Sequence, residues 1–189
     1  LAIENAMPND DLEERVSVRT AELKQTVDKL EREIEARKRA EAELQKLAIT
    51  DPLTGAYNRR YFFEITAQEI ERAQRHNLNL SVAMIDMDHF KQINDRYGHI
   101  TGDQVLLAMA DCFRDNLRKI DIVGRYGGDE FVILMPESNQ SQAKKAANRL
   151  CKKVNGRVKK IQKFSTPITT SMGLFTLAGD QEISVEELI

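Results

Sequence analysis

Signatures of membrane and nucleic-acid-binding proteins are missing from this sequence of 189 residues. No apolar run approaches the roughly 18 residues that a membrane-spanning helix needs, and no signal peptide is present. The 28 lysines and arginines nearly balance the 30 aspartates and glutamates, and a net charge of −2 gives no electrostatic footprint for nucleic acid or a membrane surface. We expect neither a nucleic-acid partner nor a membrane segment in this chain.

Cysteine and histidine are also scarce. Cys112 and Cys151 each fall in a helical apolar pattern without metal-ligand or disulfide spacing, which predicts small core residues in a reducing, cytoplasmic compartment. His76, His89 and His99 have no partner histidine at ligand spacing, so we expect surface or turn-capping roles for them.

Glycine and proline are absent from about Leu12 to Ala48, where apolar residues recur every seven positions. The alternating steps of four and three residues are typical of a coiled-coil seam. Arg37 and Glu41 fall inside this seam, which indicates a phase break near Arg37. The other seam positions are Val16, Leu23, Val27, Leu30, Ile34 and Leu44. We expect residues 1–50 to form a helix of a parallel homodimer, the alternative being a surface helix of a globular domain.

The composition changes at the stretch D-P-L-T-G, residues 51–55, where proline and glycine end the helix. We place a domain boundary here and expect a globular domain over residues 51–189. Within it, apolar spacing predicts a helix from Tyr57 to about His76 and a buried strand from Leu80 to Asp86.

A Gly-Gly pair lies between two apolar stretches in the segment R-Y-G-G-D-E-F, residues 125–131, which predicts a β-hairpin. The unbroken apolar run from Phe131 to Met135 indicates a strand that is buried on both faces. Asp129 and Glu130 would then lie beside a dry core, where carboxylates need a cation or strong donors. A divalent metal is the natural partner, and a solvated turn with surface acids is the alternative.

A second acidic pair follows the predicted strand at Leu80. In extended backbone Asp86 and Asp88 project to one side, and the Met87 carbonyl turns the other way. A strand that runs into a helix N-terminus offers amides to phosphate, and Lys91 adds a cation. This pattern favours a nucleoside triphosphate site, although a phospho-acceptor pocket would look similar. Because G-x-x-x-x-G-K-[ST] is absent, a P-loop is excluded.

The next segment predicts a corner between two helices, one ending at Gly98 and one opening at Gly102-Asp103. Asn94 and Asp103 flank this corner. A carboxylate there could accept the N1–H and N2–H₂ donors of guanine and would face a lone pair in adenine. A polar helix face for Asn94 and an N-cap for Asp103 are the alternatives.

Three motifs together resemble the GGDEF domain of bacterial diguanylate cyclases. They are D-P-L-T-G-A-Y-N-R-R at 51–60, D-M-D-H-F-K-Q-I-N-D-R-Y-G-H-I-T-G-D at 86–103 and R-Y-G-G-D-E-F at 125–131. The resemblance implies an α/β (α+β) fold similar to nucleotide cyclase and polymerase palm domains. A central, mostly antiparallel sheet with flanking helices would follow the N-terminal coiled-coil helix. It also implies that two GTP condense to cyclic di-GMP and two pyrophosphates.

The same resemblance implies roles for individual residues. Asp86, the Met87 carbonyl and Asp129 would bind two Mg²⁺ or Mn²⁺ ions per site, with Glu130 assisting. Asp129 would be the candidate base for the GTP 3′-hydroxyl, and Glu130 and Lys91 would complete the catalytic set.

The implied substrate contacts lie in the middle motif. Phe90 and Lys91 would lie along the phosphates of GTP, while Asn94 and Asp103 would read guanine. Because each domain resembles a site for one GTP, two must face each other, which gives the expected homodimer a catalytic purpose.

The segment R-K-I-D, Arg118 to Asp121, resembles the R-x-x-D site of product inhibition in this family. Arginine can grip phosphate or guanine in bidentate fashion, and Arg149 is a further candidate contact for cyclic di-GMP. The alternative is an exposed ion pair of small energy.

Three further expectations concern the whole protein. The stretch L-E-E-R-V-S-V-R-T-A-E-L resembles a linker helix after an upstream sensor domain, which would be a further partner. The chain starts without methionine, so we expect it to be a piece of a longer protein. The segment Ser184 to Glu187 predicts a capping box that starts a helix, and the resemblance implies that this helix and a last strand continue beyond Ile189. The alternatives to an active cyclase are a silent module that binds GTP or cyclic di-GMP and a plain dimerisation strut.

Overall fold

The computed structural model describes residues 7–161, 164, 168–178 and 183–189. The chain divides into two compact units, Leu1–Ala48 and Ile49–Ile189. The first six positions of the expected N-terminal helix lie outside the described residues. Within the described ranges, no helix is both long enough and apolar enough to cross a membrane.

One long helix, α1, forms the first unit and runs Met7–Ile49. Exposed ion pairs lie along it, such as Arg19–Glu22 at 3.0 Å and Arg39–Glu35 at 3.2 Å, and each contributes only about 0.3 to 0.5 kcal/mol. The predicted seam residues are all exposed: Val16, Leu23, Val27, Leu30, Ile34 and Leu44. Since helices in proteins gain most of their stability by packing an apolar face, the exposed seam favours a partner helix. The parallel homodimer stays a prediction.

The second unit is built on a five-stranded sheet in the order β1-β3-β4-β2-β5. Its strands are β1 Tyr57–Asn58, β2 Leu80–Met87, β3 Ile122–Gly127, β4 Glu130–Pro136 and β5 Thr170–Leu177. β1 pairs with β3 in parallel, and the other pairings among these strands are antiparallel. The expected α/β architecture with a mostly antiparallel central sheet is confirmed.

Helices cover both faces of this sheet. They are α2 Arg59–His76, α3 Phe90–Tyr97, α4 His99–Asn116, α5 Gln140–Val158 and α6 Val185–Leu188. One core lies between the sheet and α4 and α5, and a second lies between the sheet and α2 and α6. In β4, Phe131 belongs to the first core and Val132 to the second. The unbroken apolar run therefore marks a central strand, as the sequence predicts.

The corner between α3 and α4 differs in one respect from its prediction. Gly98 separates the two helices with a φ of 83°, in the left-handed region that favours glycine. Its carbonyl accepts the amides of Thr101 and Gly102, so α4 begins at His99 rather than at Gly102. Asp103 lies inside the first turns of α4, and its interpretation as an N-cap is wrong.

The turn that opens the second unit is tied to the Gly-Gly hairpin. Asp51 Oδ1 accepts from the Thr54 amide at 2.8 Å and the Thr54 hydroxyl at 2.7 Å. Both Asp51 oxygens accept from Arg125 Nη1, at 3.0 and 3.1 Å. Burial would raise the pKa of Asp51, but the hydrogen bonds from Thr54 and the charge of Arg125 hold it below the ordinary aspartate value.

We predict that Asp51→Asn lowers the free energy of unfolding by about 2 kcal/mol near neutral pH, because it leaves a mostly buried guanidinium without its counter-charge. The Arg125 and Asp51 side chains are only 16% and 18% exposed. Because folding lowers the pKa of this carboxylate, its contribution is present at neutral pH and disappears as the pH falls below about 4.

Urea unfolding of parent and variant at several pH values checks this prediction. Asp95→Asn, at an exposed position of α3, is the matched control and should change stability little at any pH. A gap between the parent and Asp51→Asn that stays constant from neutral to acid pH would contradict the assignment.

Candidate active site

The pairing of β2 with β4 gathers acidic residues at one end of the sheet. Ile85 of β2 is in register with Phe131 of β4, so the next positions along each strand, Asp86 and Glu130, meet at the same end. Asp129 lies in the turn just before β4. The structure therefore brings together the acidic positions of two motifs that are more than forty residues apart in the sequence.

No described residue forms an ion pair or hydrogen bond that would balance the charges in this cluster. Burial raises the pKa of Asp86, and the negative charges of Asp129, Glu130 and Asp88 raise it further. The side chains of Asp86, Asp129 and Glu130 make no hydrogen bond or ion pair with any described residue. Such a set of carboxylates is an environment that a cation would stabilise.

Oxygen ligands of this kind fit a hard divalent cation such as Mg²⁺. Within the described part of the chain, however, no three side chains of His, Cys, Asp or Glu form a ready metal cage. A cation held by Asp86 and Asp129 would therefore need further oxygens, for which the Met87 carbonyl and a bound triphosphate are the candidates. This requirement suits Mg²⁺, which is usually bound through one or two carboxylates together with substrate phosphates.

A short turn carries the chain from β2 into α3. His89 has a φ of 63°, and its carbonyl accepts the amides of Gln92 and Ile93. Phe90 is the first residue of α3 and packs partly on the core, whereas Lys91 is exposed and has no described side-chain partner. The start of α3 thus lies next to the acidic cluster, with a mobile cation beside the helix N-terminus.

The α3–α4 corner places the two predicted guanine-reading residues close together. A Cβ at Gly102 would collide with Asn94 Oδ1 and lie 3.2 Å from the Phe90 ring, so this buried glycine makes room for both side chains. Asp103 follows at once and is exposed. Asn94, Phe90 and Asp103 therefore belong to one corner, and Gly102 is a contributor that the sequence reasoning did not identify.

Arg125 is a second residue whose role the sequence reasoning missed. Its Nε and Nη2 donate to the Gly128 carbonyl at 2.9 and 2.7 Å, while its Nη1 donates to Asp51. The guanidinium thereby holds the Gly-Gly turn, where Gly128 has a φ of 50°, and fixes the turn next to Asp129. The sequence signals that could have indicated this role are the arginine of R-Y-G-G-D-E-F and the aspartate that begins the D-P-L-T-G turn.

Asp88 does not share the environment of Asp86. Its carboxylate accepts from the Ser171 hydroxyl at 2.6 Å and from the Thr169 hydroxyl. These hydrogen bonds lower the pKa of Asp88. The alternation of side chains in a strand predicts that Asp86 and Asp88 act together, but the second aspartate binds β5 and the residue before it.

The R-x-x-D pair forms a separate polar cluster. Arg118 Nη2 donates to Asp121 Oδ1 at 2.7 Å, to the Pro136 carbonyl at 3.0 Å and to Ser138 Oγ at 2.6 Å. The Asp121 side chain is only 4% exposed, so this pair is more than the exposed helical ion pair that was the alternative. Arg149 donates to the Asn116 carbonyl at 3.1 Å, near the end of α4.

The uncompensated charge of Asp86 leads to a prediction about stability. Because folding raises its pKa, the ionised carboxylate destabilises the folded protein once the pH exceeds the ordinary aspartate value of about 3.9. Asp86→Asn removes this cost, so without added metal the variant should unfold at a higher temperature than the parent near neutral pH. The difference should shrink as the pH is lowered.

Thermal unfolding across the pH range, with and without Mg²⁺, measures both effects. Mg²⁺ should stabilise the parent more than the variant, and Glu71→Gln on the exposed side of α2 should behave as the parent does. A metal-free Asp86→Asn protein that is less stable than the parent near neutral pH would contradict the picture of unbalanced charge.

Comparison with known proteins identifies the family to which this sequence is similar. The family described as "Diguanylate cyclase, GGDEF domain" matches residues 48–189. The chain is 34% identical over 169 residues to diguanylate cyclase DgcP of Pseudomonas aeruginosa, covering 89% of this chain and 25% of that protein. It is 44% identical over 104 residues to diguanylate cyclase DosC of Escherichia coli, covering 55% of this chain and 23% of that protein. The chain thus spans about a quarter of the length of these curated relatives.

Solved structures agree with this match. The coiled coil and GGDEF domain of DgcB from Caulobacter crescentus, in complex with c-di-GMP, aligns with a TM-score of 0.73 at 26% identity, covering 94% of this chain and 87% of that one. Diguanylate cyclase SiaD from Pseudomonas aeruginosa, in complex with its activator SiaC, aligns with a TM-score of 0.67 at 32% identity, covering 93% and 68%. The resemblance in the three sequence motifs is confirmed, and the chain belongs to the diguanylate cyclase GGDEF domain family.

Proposed function

We propose that this chain is the catalytic part of a diguanylate cyclase, which condenses two GTP into cyclic di-GMP and releases two pyrophosphates. The main observation in support of this proposal is the cluster of Asp86, Asp129 and Glu130, whose charges the described residues leave unbalanced. Family membership and the names of the relatives support the same reaction.

Each bond-forming step joins the 3′-oxygen of one GTP to the α-phosphorus of the other, and pyrophosphate leaves. Asp129 takes the proton of the attacking hydroxyl, with Glu130 beside it at the start of β4. Mg²⁺ or Mn²⁺ bound at Asp86, the Met87 carbonyl and Asp129 would supply charge neutralisation for the phosphates. The protein then contributes mainly positioning and electrostatics, which is the usual division of labour in such displacements.

Substrate binding is assigned to α3 and its corner with α4. Lys91 and the first amides of α3 hold phosphate oxygens, and Phe90 lines the path beside them. The acceptor oxygens of Asn94 and Asp103 take the donors of guanine, which adenine lacks in that arrangement. The close approach of Asn94 to the buried Gly102 supports this assignment, because it restricts where the Asn94 amide can lie.

We predict that the full-length protein, incubated with GTP and Mg²⁺, releases pyrophosphate and cyclic di-GMP. Asp129→Asn should reduce the rate by about 100-fold or more, since it removes the base and weakens the metal site. Glu71→Gln is the charge-matched control on α2, and it should keep the parent rate.

Chromatography of the nucleotides measures the cyclic di-GMP that is formed, and a pyrophosphate assay measures the second product. A parent protein that binds GTP but makes no cyclic di-GMP would identify a silent signalling module instead. A parent that neither binds nor turns over GTP would overturn the proposal.

The reaction needs two chains if each domain holds one GTP. The exposed apolar seam of α1 supports a parallel coiled-coil homodimer, and the solved relative from Caulobacter crescentus also contains a coiled coil. The rate per chain should rise with protein concentration until sedimentation shows a dimer. A monomer that is fully active at low concentration would contradict this part of the proposal.

We further propose that cyclic di-GMP inhibits the enzyme at Arg118 and Asp121, with Arg149 as an additional contact. Arg118 Nη1 makes no hydrogen bond to any described residue, so part of the guanidinium can receive a ligand while Asp121 and Ser138 hold the rest. Arginine in such a setting can take phosphate or the guanine edge.

We predict that Arg118→Ala raises the half-inhibitory concentration of cyclic di-GMP by about 10-fold or more, since losing a charged hydrogen bond costs on the order of 1.4 kcal/mol or above. Lys119→Ala is the matched control, because it removes the same charge from the neighbouring exposed residue. Calorimetry measures cyclic di-GMP binding independently of turnover. Equal binding by the parent and Arg118→Ala proteins would contradict the assignment.

A further inference from the structure

We propose that Asp88 is a positioning residue, whose carboxylate ties the end of β2 to the start of β5 and thereby holds Asp86 and the Met87 carbonyl in place for a divalent cation. This inference rests on the proposed function, since it concerns the same metal site. It assigns Asp88 no direct contact with metal or substrate.

All hydrogen bonds of Asp88 to described residues are made with one neighbouring segment. One carboxylate oxygen accepts from the Ser171 hydroxyl at 2.6 Å, and the other accepts from the Thr169 hydroxyl. The Asp88 amide donates to the Thr169 carbonyl at 3.0 Å. The main chain of Asp88 therefore binds Thr169, its side chain binds both Thr169 and Ser171, and both carboxylate oxygens are used.

The position of this clamp makes it relevant to the metal site. β2 pairs with β4 only as far as Ile85, but it pairs with β5 through Asp86 and Met87. The last two residues of β2 are thus held by strand pairing on one side alone. Immediately after Asp88 the chain turns at His89, with a φ of 63°, and enters α3. The clamp is the last attachment before that turn.

Asp88 also differs chemically from the other acidic residues of the cluster. The side chains of Asp86, Asp129 and Glu130 have no described partner, which leaves their lone pairs available to a cation. Those of Asp88 are directed at hydroxyl donors. Residues that orient metal ligands in this way commonly change metal affinity by about 10- to 100-fold when they are replaced.

The test removes the two donors and leaves the carboxylate in place. Thr169→Val and Ser171→Ala are combined in one protein, and Asp88→Ala and Asp88→Asn are prepared beside it. Thr169 and Ser171 are exposed, so the double variant should fold. Thr26→Val is the matched control, because it removes an exposed hydroxyl of α1 that donates to the Glu22 carbonyl.

Mn²⁺ binding is measured by electron paramagnetic resonance of the free ion, in the absence of GTP, and thermal unfolding is recorded on the same samples. We expect the double variant and Asp88→Ala to bind Mn²⁺ about 10-fold more weakly than the parent, with the control unchanged. Asp88→Asn should recover most of the affinity, since the amide can accept from one hydroxyl and donate to the other.

Three results would overturn the inference. The double variant could bind Mn²⁺ as the parent does. Asp88→Asn could bind as weakly as Asp88→Ala while the double variant is normal, in which case charge rather than position matters. Unfolding temperatures could fall in the double variant with no change in Mn²⁺ affinity, which would show a purely structural role.

Together with the assay of cyclic di-GMP formation described above, these data separate this inference from the proposed function. A parent that binds Mn²⁺ and makes cyclic di-GMP, with variants that bind Mn²⁺ equally well, leaves the proposed function intact and rejects the role of Asp88. A parent that binds no Mn²⁺ and makes no product overturns both.

Discussion

The antiparallel pairing of β2 with β4 is the constraint on which the rest of this domain depends. Both strands are central and nearly fully buried, so their register is set by the packing of apolar side chains on two faces. That register brings Asp86 and Glu130 to the same end of the sheet. A shift by one residue would turn the apolar set of either strand away from its core, so the energy of the core also maintains the geometry of the charges.

The acidic residues of the domain fall into two groups that differ in how they are bonded. Asp51, Asp88 and Asp121 each accept several hydrogen bonds, and those of Asp51 and Asp88 tie separate segments together. Asp86, Asp129 and Glu130 have no such described partners and lie together at one end of the sheet. Folding lowers the pKa of Asp51 and Asp88, so their carboxylates stabilise the fold near neutral pH, whereas it raises the pKa of Asp86, so that carboxylate makes the fold less stable there. Unbalanced charge of this kind is what a cation-dependent reaction on phosphates requires.

The two units differ in how their apolar residues are used. In the second unit the apolar residues fill two cores around a sheet, whereas in α1 the seam residues remain exposed along the whole helix. A helix with an uncovered apolar seam is an association surface in its own right. Within one chain nothing described covers the apolar seam of α1. A second copy of the helix would cover it, and that pairing would also bring two domains together, as a reaction between two GTP requires.

Much of this protein could be predicted from its sequence, because the signals are local. The seven-residue spacing predicted the long helix, the unbroken apolar run predicted the central strand at Phe131, and Gly98 predicted the end of α3. Three motifs in a fixed order predicted the family, since their residues and spacing can be recognised without knowledge of the contacts in the fold. By itself, then, the sequence determined most of the elements, the family and the candidate residues, whereas it set the starts of α2 and α4 two and three residues away from where the structure has them.

Only the tertiary structure decided which of those residues work together. Side-chain alternation placed Asp86 and Asp88 in one pair, but hydroxyls of Thr169 and Ser171, some eighty residues away, give Asp88 a different set of contacts. The hydrogen bond from Arg125 to Asp51 and the space that Gly102 leaves for Asn94 could not be predicted from the sequence either. The physical reason is the same in each case: hydrogen bonds and steric fit between distant segments depend on the packed fold, and no local pattern in the chain encodes them.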